Sequence, residues 1–354
     1  MKAAFALIAI LASGCFYTSY VAQGAAGQLD MLAKAKPLDV VIRDPKTPLR
    51  TALMLAEIPA IKEYGRSYGL RIRHNYETYA DLERPAAVWF VGAADELSFK
   101  SRKWCFPIVG CFAGVGFFDE ADAVTFEQKL EAEGYDAHVR PAAAYSTSGW
   151  FRDPVLSTML GGGDDALPEL ANVILHESVH ATVFIPDEPF FNESIAEYVA
   201  NTLTDHWIEI RFGPGSPEEV AWTLGQALHY PRTARTLAAY EALKAVYASK
   251  QPRDAKLTAK TKIIDELVAD LHLRRRPNNA TLTEAKVYNG GSEPLLAAHR
   301  ACGDLRSMLE AAKTLKRSDF ASALQDDLTP IATILTERCQ AAQKTGAGRH
   351  GASR

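Results

Sequence analysis

The sequence predicts an α+β protein, a small mixed sheet region followed by a mainly helical region. Two observations carry this. Short runs rich in β-branched and aromatic residues, such as Ala86–Gly92 (AAVWFVG), read as strands before the triplet Gly161-Gly162-Gly163. After that triplet the chain reads as long segments with apolar residues at helical spacing. This sets the boundaries: a leader over 1–14, an N-terminal α+β region over 15–160, a helical region over 161–343, and a disordered tail over 344–354, small and polar in composition.

In chain order, residues 22–35 read as a helix, and Pro37, Pro45 and Pro48 punctuate the linker after it. Leu53, Ala56, Ile61 and Tyr64 mark a helix over 51–68. Strands are predicted at 86–92 and 137–145, and a Gly-rich strand or hairpin at 109–118. Between them, 120–134 is an amphipathic helix ending on Gly134. The later helices fall at 168–184, 190–212, 217–230, 233–249, 254–273, 294–316 and 318–343, with Ser216-Pro217-Glu218-Glu219 as a helix start.

The 354 residues suffice for a sizeable core, and 47% hydrophobic with 23% charged residues is the balance of an ordinary globular protein. A net charge of −4 gives no electrostatic footprint for nucleic acid, so nucleic-acid partners are excluded. The run Arg274-Arg275-Arg276 reads as a solvated helix terminus.

Met1-Lys2, an apolar stretch from Ala3 to Leu11 and the small residues Ala12-Ser13-Gly14 form a secretory signal peptide, too short to span a bilayer. Cys15 comes next. Leu-Ala-Ser-Gly-Cys is similar to a bacterial lipobox, with its leucine one place further upstream than usual. The expectation is cleavage before Cys15 and lipidation of its sulfur; plain secretion is the alternative. Each buried acyl CH₂ adds roughly 0.8 kcal/mol, so several chains would anchor the protein firmly to a membrane. Phe16 in place of an aspartate points to the outer membrane, facing the periplasm. Four cysteines remain and allow three pairings. Cys105 with Cys111, close in sequence, and Cys302 with Cys339, joining two helices, form the favoured set, because Cys-x5-Cys without nearby histidine is poor zinc spacing.

Residues 175–181 read Leu-His-Glu-Ser-Val-His-Ala. On a helix His176 and His180 lie one turn apart on one face and can aim two imidazoles at one ion. Glu177, rotated about 100° from His176, can take a proton from an activated water without ligating. Leu170, Val173, Ile174, Val179 and Val183 make this a buried helix, where unpaired imidazoles and a carboxylate are costly. The short breaker-rich loop Ile185–Pro189 makes the next helix an antiparallel neighbour, placing Glu193 opposite the two histidines as third ligand. Glu197, one turn on, can accept the other ring N–H of a ligating histidine. Two histidines, one glutamate and an open position suit one catalytic Zn²⁺.

His-Glu-x-x-His followed by Asn-Glu on the next helix resembles the gluzincin metallopeptidases. Added to it are Gly27-Gln28-Leu29, Trp104-Cys105-Phe106-Pro107, Tyr145-Ser146-Thr147, Gly149-Trp150-Phe151, Asp153-Pro154 and Asn278-Asn279-Ala280. Together these resemble a bacterial zinc aminopeptidase family, many of whose members are lipoproteins. The resemblance spans nearly the whole mature chain and implies a zincin-like catalytic region and a peptide substrate. It supports "peptidase" better than "amino". A zinc endopeptidase and a non-catalytic zinc-binding envelope lipoprotein are the other readings; the intact Glu177 argues against the second. Peptide hydrolysis also needs an oxyanion donor, for which Tyr288 and Tyr145 are candidates, each with packed core as its alternative. Asp153, Asp187 and Glu188 are the carboxylates available for a substrate ammonium.

Overall fold

The computed structural model describes residues 2–72, 74–106, 110–144 and 152–350, with backbone alone for 2–15, 110 and 345–350. The chain begins with α1 (Lys2–Lys34), β1 (Lys36–Pro37), α2 (Leu38–Arg43), α3 (Leu49–Ser67) and β2 (Thr78–Ala80). Then come β3 (Val88–Asp95), β4 (Trp104–Phe106), β5 (Gly110–Phe112), β6 (Gly114–Phe117), α4 (Glu120–Ala132), β7 (Tyr135–Ala142) and β8 (Val155–Leu156). The remainder is helical: α5 (Ala166–His180), α6 (Pro189–Phe212), α7 (Pro217–Ala248), α8 (Arg253–Leu271), α9 (Asn279–Asn289), α10 (Ser292–Cys302), α11 (Leu305–Ala312) and α12 (Thr329–His350). This is the α+β, mainly helical class that the sequence predicts.

The sheet that matters for the site is β6-β3-β7, antiparallel throughout. Side chains alternate across a strand, and the two faces differ accordingly. Trp89, Val91, Ala93, Val115, Phe117, Ala137 and Val139 form one face, buried against Ala123, Phe126 and Leu130 of α4. The other face carries Phe90 and Gly92, registered with Arg140 and His138 on β7 and with Gly116 and Gly114 on β6. The short strands β1-β2-β8 form a mixed sheet, and β4 and β5 a hairpin in which Cys105 faces Cys111.

Behind the sheets, α5 and α6 pack side by side through Leu170, Ile174, Leu175 and Val179 against Phe191, Ile195, Ala196 and Val199, all fully buried. Both disulfides are those favoured from the sequence, Cys105–Cys111 and Cys302–Cys339. The second ties α10 to α12 across 37 residues of chain, and closing a loop of that length stabilises the fold by about 4 kcal/mol in the chain-entropy account. Among the described residues no helix is long and apolar enough to cross a membrane.

Several boundaries differ from expectation. α5 stops at His180 rather than Phe184: Pro186 disfavours helix at Ile185, whose backbone N–H and C=O are held by the Asn192 side chain at 2.9 and 2.8 Å. α7 is one helix through Pro231, not two. Proline removes a single backbone bond, and the exposed turn before it accommodates the loss. The predicted 294–316 helix is broken at Gly303, whose φ of +86° suits glycine, and Asp304 then caps α11 through the Ser307 N–H. The predicted 318–343 helix starts only at Thr329, after a loop in which Leu324 has φ +58°. α12 then continues to His350, into the segment whose composition predicts disorder. The strand predicted to end at Tyr145 ends at Ala142; Tyr145, and Tyr145-Ser146-Thr147 with Gly149-Trp150-Phe151, lie outside the described residues.

Candidate active site

Local sequence fixes the two helices that carry the site. The Asn192 side chain pairs with the Ile185 backbone like a strand partner, which sets the entry of α6 and with it the next residue, Glu193. Glu188, fully buried, accepts the Gln325 N–H and faces Arg317 at 3.4 Å, tying the same turn to the loop before α12. That use as a loop tie removes Glu188 from the carboxylates available to substrate.

His176 Nε2 lies 3.1 Å from His180 Nε2, and each lies 3.4 Å from Glu193 Oε2. A tetrahedral ion with arms of 2.0–2.1 Å holds its donor atoms about 3.3 Å apart. The three atoms therefore form one face of such a tetrahedron, and the residues fit the ion that the sequence implies. Among the described residues they form a group of His, Cys, Asp or Glu able to hold a metal. Glu197 Oε2 lies 3.5 Å from His176 Nδ1. Asn201 donates to Glu197 at 3.0 Å, and Asn172 to Asn201 at 2.8 Å, so a chain of amides fixes the carboxylate that orients the ring. His180 Nδ1 is buried without a hydrogen-bond partner among the described residues.

The electrostatics favour positive charge at the centre. Burial alone would lower the His176 pKa, but hydrogen bonds to Glu193 and Glu197 and the charge of Glu177 outweigh it and raise it to about 10. Burial pushes Glu193 up, yet the two imidazoles hold it well below the usual carboxylate range. Glu197 is lowered in the same way against its own burial, chiefly by His176. The shifts share one cause, imidazoles and carboxylates packed within reach of one another.

Other residues converge from distant parts of the chain. α9 is held to the sheet by the pair Asn278-Asn279. Asn278 caps the helix through the Thr281 N–H and donates to Ala137 O at 2.6 Å; fully buried Asn279 donates to the carbonyls of Asp95, Glu96 and Ser98. This anchorage brings Tyr288 to the site, its ring 6.3 Å from that of His176 and tilted 24°. Burial, and then the Glu193 charge, raise the Tyr288 hydroxyl well above its ordinary pKa, so it stays a protonated donor. Arg140 of β7 pairs with Glu284 of α9 beside it. Tyr76 is buried with φ +62°, its N–H on Asp153 O at 2.8 Å; burial raises its pKa, and the charges of Glu177 and Asp153 add to this. A bulky residue at positive φ is strained; here the strained residue feels the Glu177 charge.

The structure thus brings together His176, Glu177, His180, Glu193, Glu197 and Tyr288. Tyr145 and the side chain of Cys15 lie outside the described residues, and the four disulfide cysteines sit in β4, β5, α10 and α12. Sequence reasoning missed Arg140, Glu284, Asn201 and Tyr76. Asn201 was accessible as the i+4 neighbour of Glu197 on α6; the others carry no local signal.

A cavity of about 550 Å³ opens beside the cluster, with Glu193 and Tyr288 in its wall. A family profile described as "Putative aminopeptidase" matches residues 19–324. The chain belongs to this family. Comparison with curated proteins and with solved structures gave no match. Membership in the aminopeptidase family supports peptide hydrolysis and a peptide substrate. The span of the family match contains every member of the cluster and all of α9.

Proposed function

We propose that this aminopeptidase-family chain is a zinc-dependent peptidase of the cell envelope that removes residues from a peptide's free N-terminus. The observation that carries the reading is the triangle of His176, His180 and Glu193 donor atoms, 3.1–3.4 Å on a side, with Glu177 next to His176 in sequence and a cavity alongside. When bound there, zinc supplies a Lewis acid beside the scissile carbonyl and the attacking water. Glu177 takes the proton of that water and delivers it to the leaving amine. Tyr288, kept protonated by burial, donates to the oxygen on which negative charge develops. Glu197 holds the His176 ring by its Nδ1.

The apolar leader ending at Cys15 and the two disulfides support export and a lipid anchor. Paired peptides with free and N-acetylated termini test the amino specificity. Cleavage of the free peptide alone is expected, by at least about a hundredfold over the blocked one, as a site that must bind an ammonium rejects its absence. Equal cleavage of both makes the chain an endopeptidase.

A further inference from the structure

We propose that the cavity beside Glu193 is the specificity pocket of the enzyme and takes a bulky apolar side chain, aromatic or long aliphatic, flanking the scissile bond. The inference rests on the peptidase reading above and names its substrate class.

The cavity is continuous with the site. Glu193, placed among the metal-holding residues, and Tyr288, placed on the reacting oxygen, both line it. A side chain entering it therefore belongs to a residue at the point of cleavage.

The lining selects the kind of side chain. Phe90, Phe99, Phe112, Phe190, Tyr240 and Tyr247 surround the space. Of its charged groups, Arg140 pairs with Glu284 and Lys244 with Asp326, while Lys100 and Lys103 are exposed. His138 is pushed down to about 4, by burial first and then by Arg275 and Arg140, and so is neutral at neutral pH. The two exposed lysines keep their charge in water, and burying a charged guest among the aromatic rings would be costly.

The backbone makes the room. The sheet face toward the cavity carries glycine at 92 and 114, where strands normally bear side chains. A Cβ on Gly114 would lie 1.9 Å from Phe90 Cζ, so glycine there leaves room for the Phe90 ring; the Arg140 guanidinium lies over that ring at 5.2 Å. Phe90 is thus a fixed floor. At Gly92 a Cβ would meet only Phe90 Cε1, at 3.4 Å, so the space beside the floor is open. A cavity of about 550 Å³ falls in the range that accepts a small-molecule-sized guest, enough for the largest side chains.

The test uses zinc-loaded full-length chain and tripeptide amides X-Ala-Ala and Ala-X-Ala, with X as Phe, Leu, Ala, Lys or Glu. Phe and Leu should exceed Ala, Lys and Glu in kcat/KM by at least about tenfold at one of the two positions. Gly92→Val from the sheet side and Val287→Phe from α9 each narrow the cavity and should bring the Phe-to-Ala ratio toward one. Val287→Phe keeps the test valid if the strand variant does not fold. The same peptides are titrated calorimetrically into Glu177→Gln, which reads side-chain preference without turnover. Preference for Lys or Glu, no preference or no binding, or a Phe preference that survives both narrowing variants, overturns the proposal. Wild type that cleaves nothing, while Glu177→Gln binds Phe peptides preferentially, overturns the peptidase reading and leaves the pocket standing.

Discussion

Glu177→Gln is expected to abolish hydrolysis and to leave the proposed zinc in place. Glutamine keeps the shape and polarity of the side chain but has no basic oxygen for the proton of the attacking water. Proton transfer by a positioned side chain contributes 10²–10⁴-fold, so kcat should fall by about that factor, roughly 2.7–5.5 kcal/mol of barrier. The donor triangle of His176, His180 and Glu193 does not include residue 177, so metal content is expected to hold. Turnover at saturating peptide, with zinc counted in the same sample, checks both halves. Undiminished kcat would remove Glu177 from the chemistry.

Glu193→Ala is expected to empty the proposed site of metal. The carboxylate is one of three donors, and its loss leaves two imidazole nitrogens 3.1 Å apart without the negative charge that balances a cation. Loss of a carboxylate that only supports a ligand typically costs 10–100-fold in metal affinity; loss of a ligand should cost more, at least about a hundredfold. Zinc retained after dialysis should therefore fall from one per chain to near zero, with activity falling alongside it. Circular dichroism is expected to stay native, because α6 is fixed by Phe191, Ile195 and Val199 in the core and by Asn192 at its start. Unchanged zinc content would take Glu193 out of the ligand set.

The sequence showed much of this site because local geometry wrote it. His176 and His180 share a face by helical period alone, and a short loop makes α6 the neighbour of α5, which brings Glu193 and Glu197 to them. The helices around Leu53–Tyr64 and Glu120–Gly134 and the strand at Ala86–Gly92 were legible for the same reason. The hidden part depends on tertiary contact. Arg140 and Glu284 meet across 144 residues of chain, and no spacing announces them. Tyr76 comes within electrostatic reach of Glu177 from a loop in which its own φ is +62°. Pro231 reads locally as a stop, yet α7 runs through it, whereas the break at Gly303-Asp304 was written in the residues and overridden by the apolar periodicity on either side. The cavity was not legible at all, since its walls come from strands and helices far apart in sequence.

Everything proposed for the chemistry depends on one zinc ion held by His176, His180 and Glu193. The decisive measurement is metal analysis of exhaustively dialysed wild-type chain, with peptide turnover followed on the same sample before and after a chelator. One zinc per chain is expected, with turnover lost as the metal leaves and restored when zinc is returned. Full turnover from chain carrying no metal would refute the zinc mechanism.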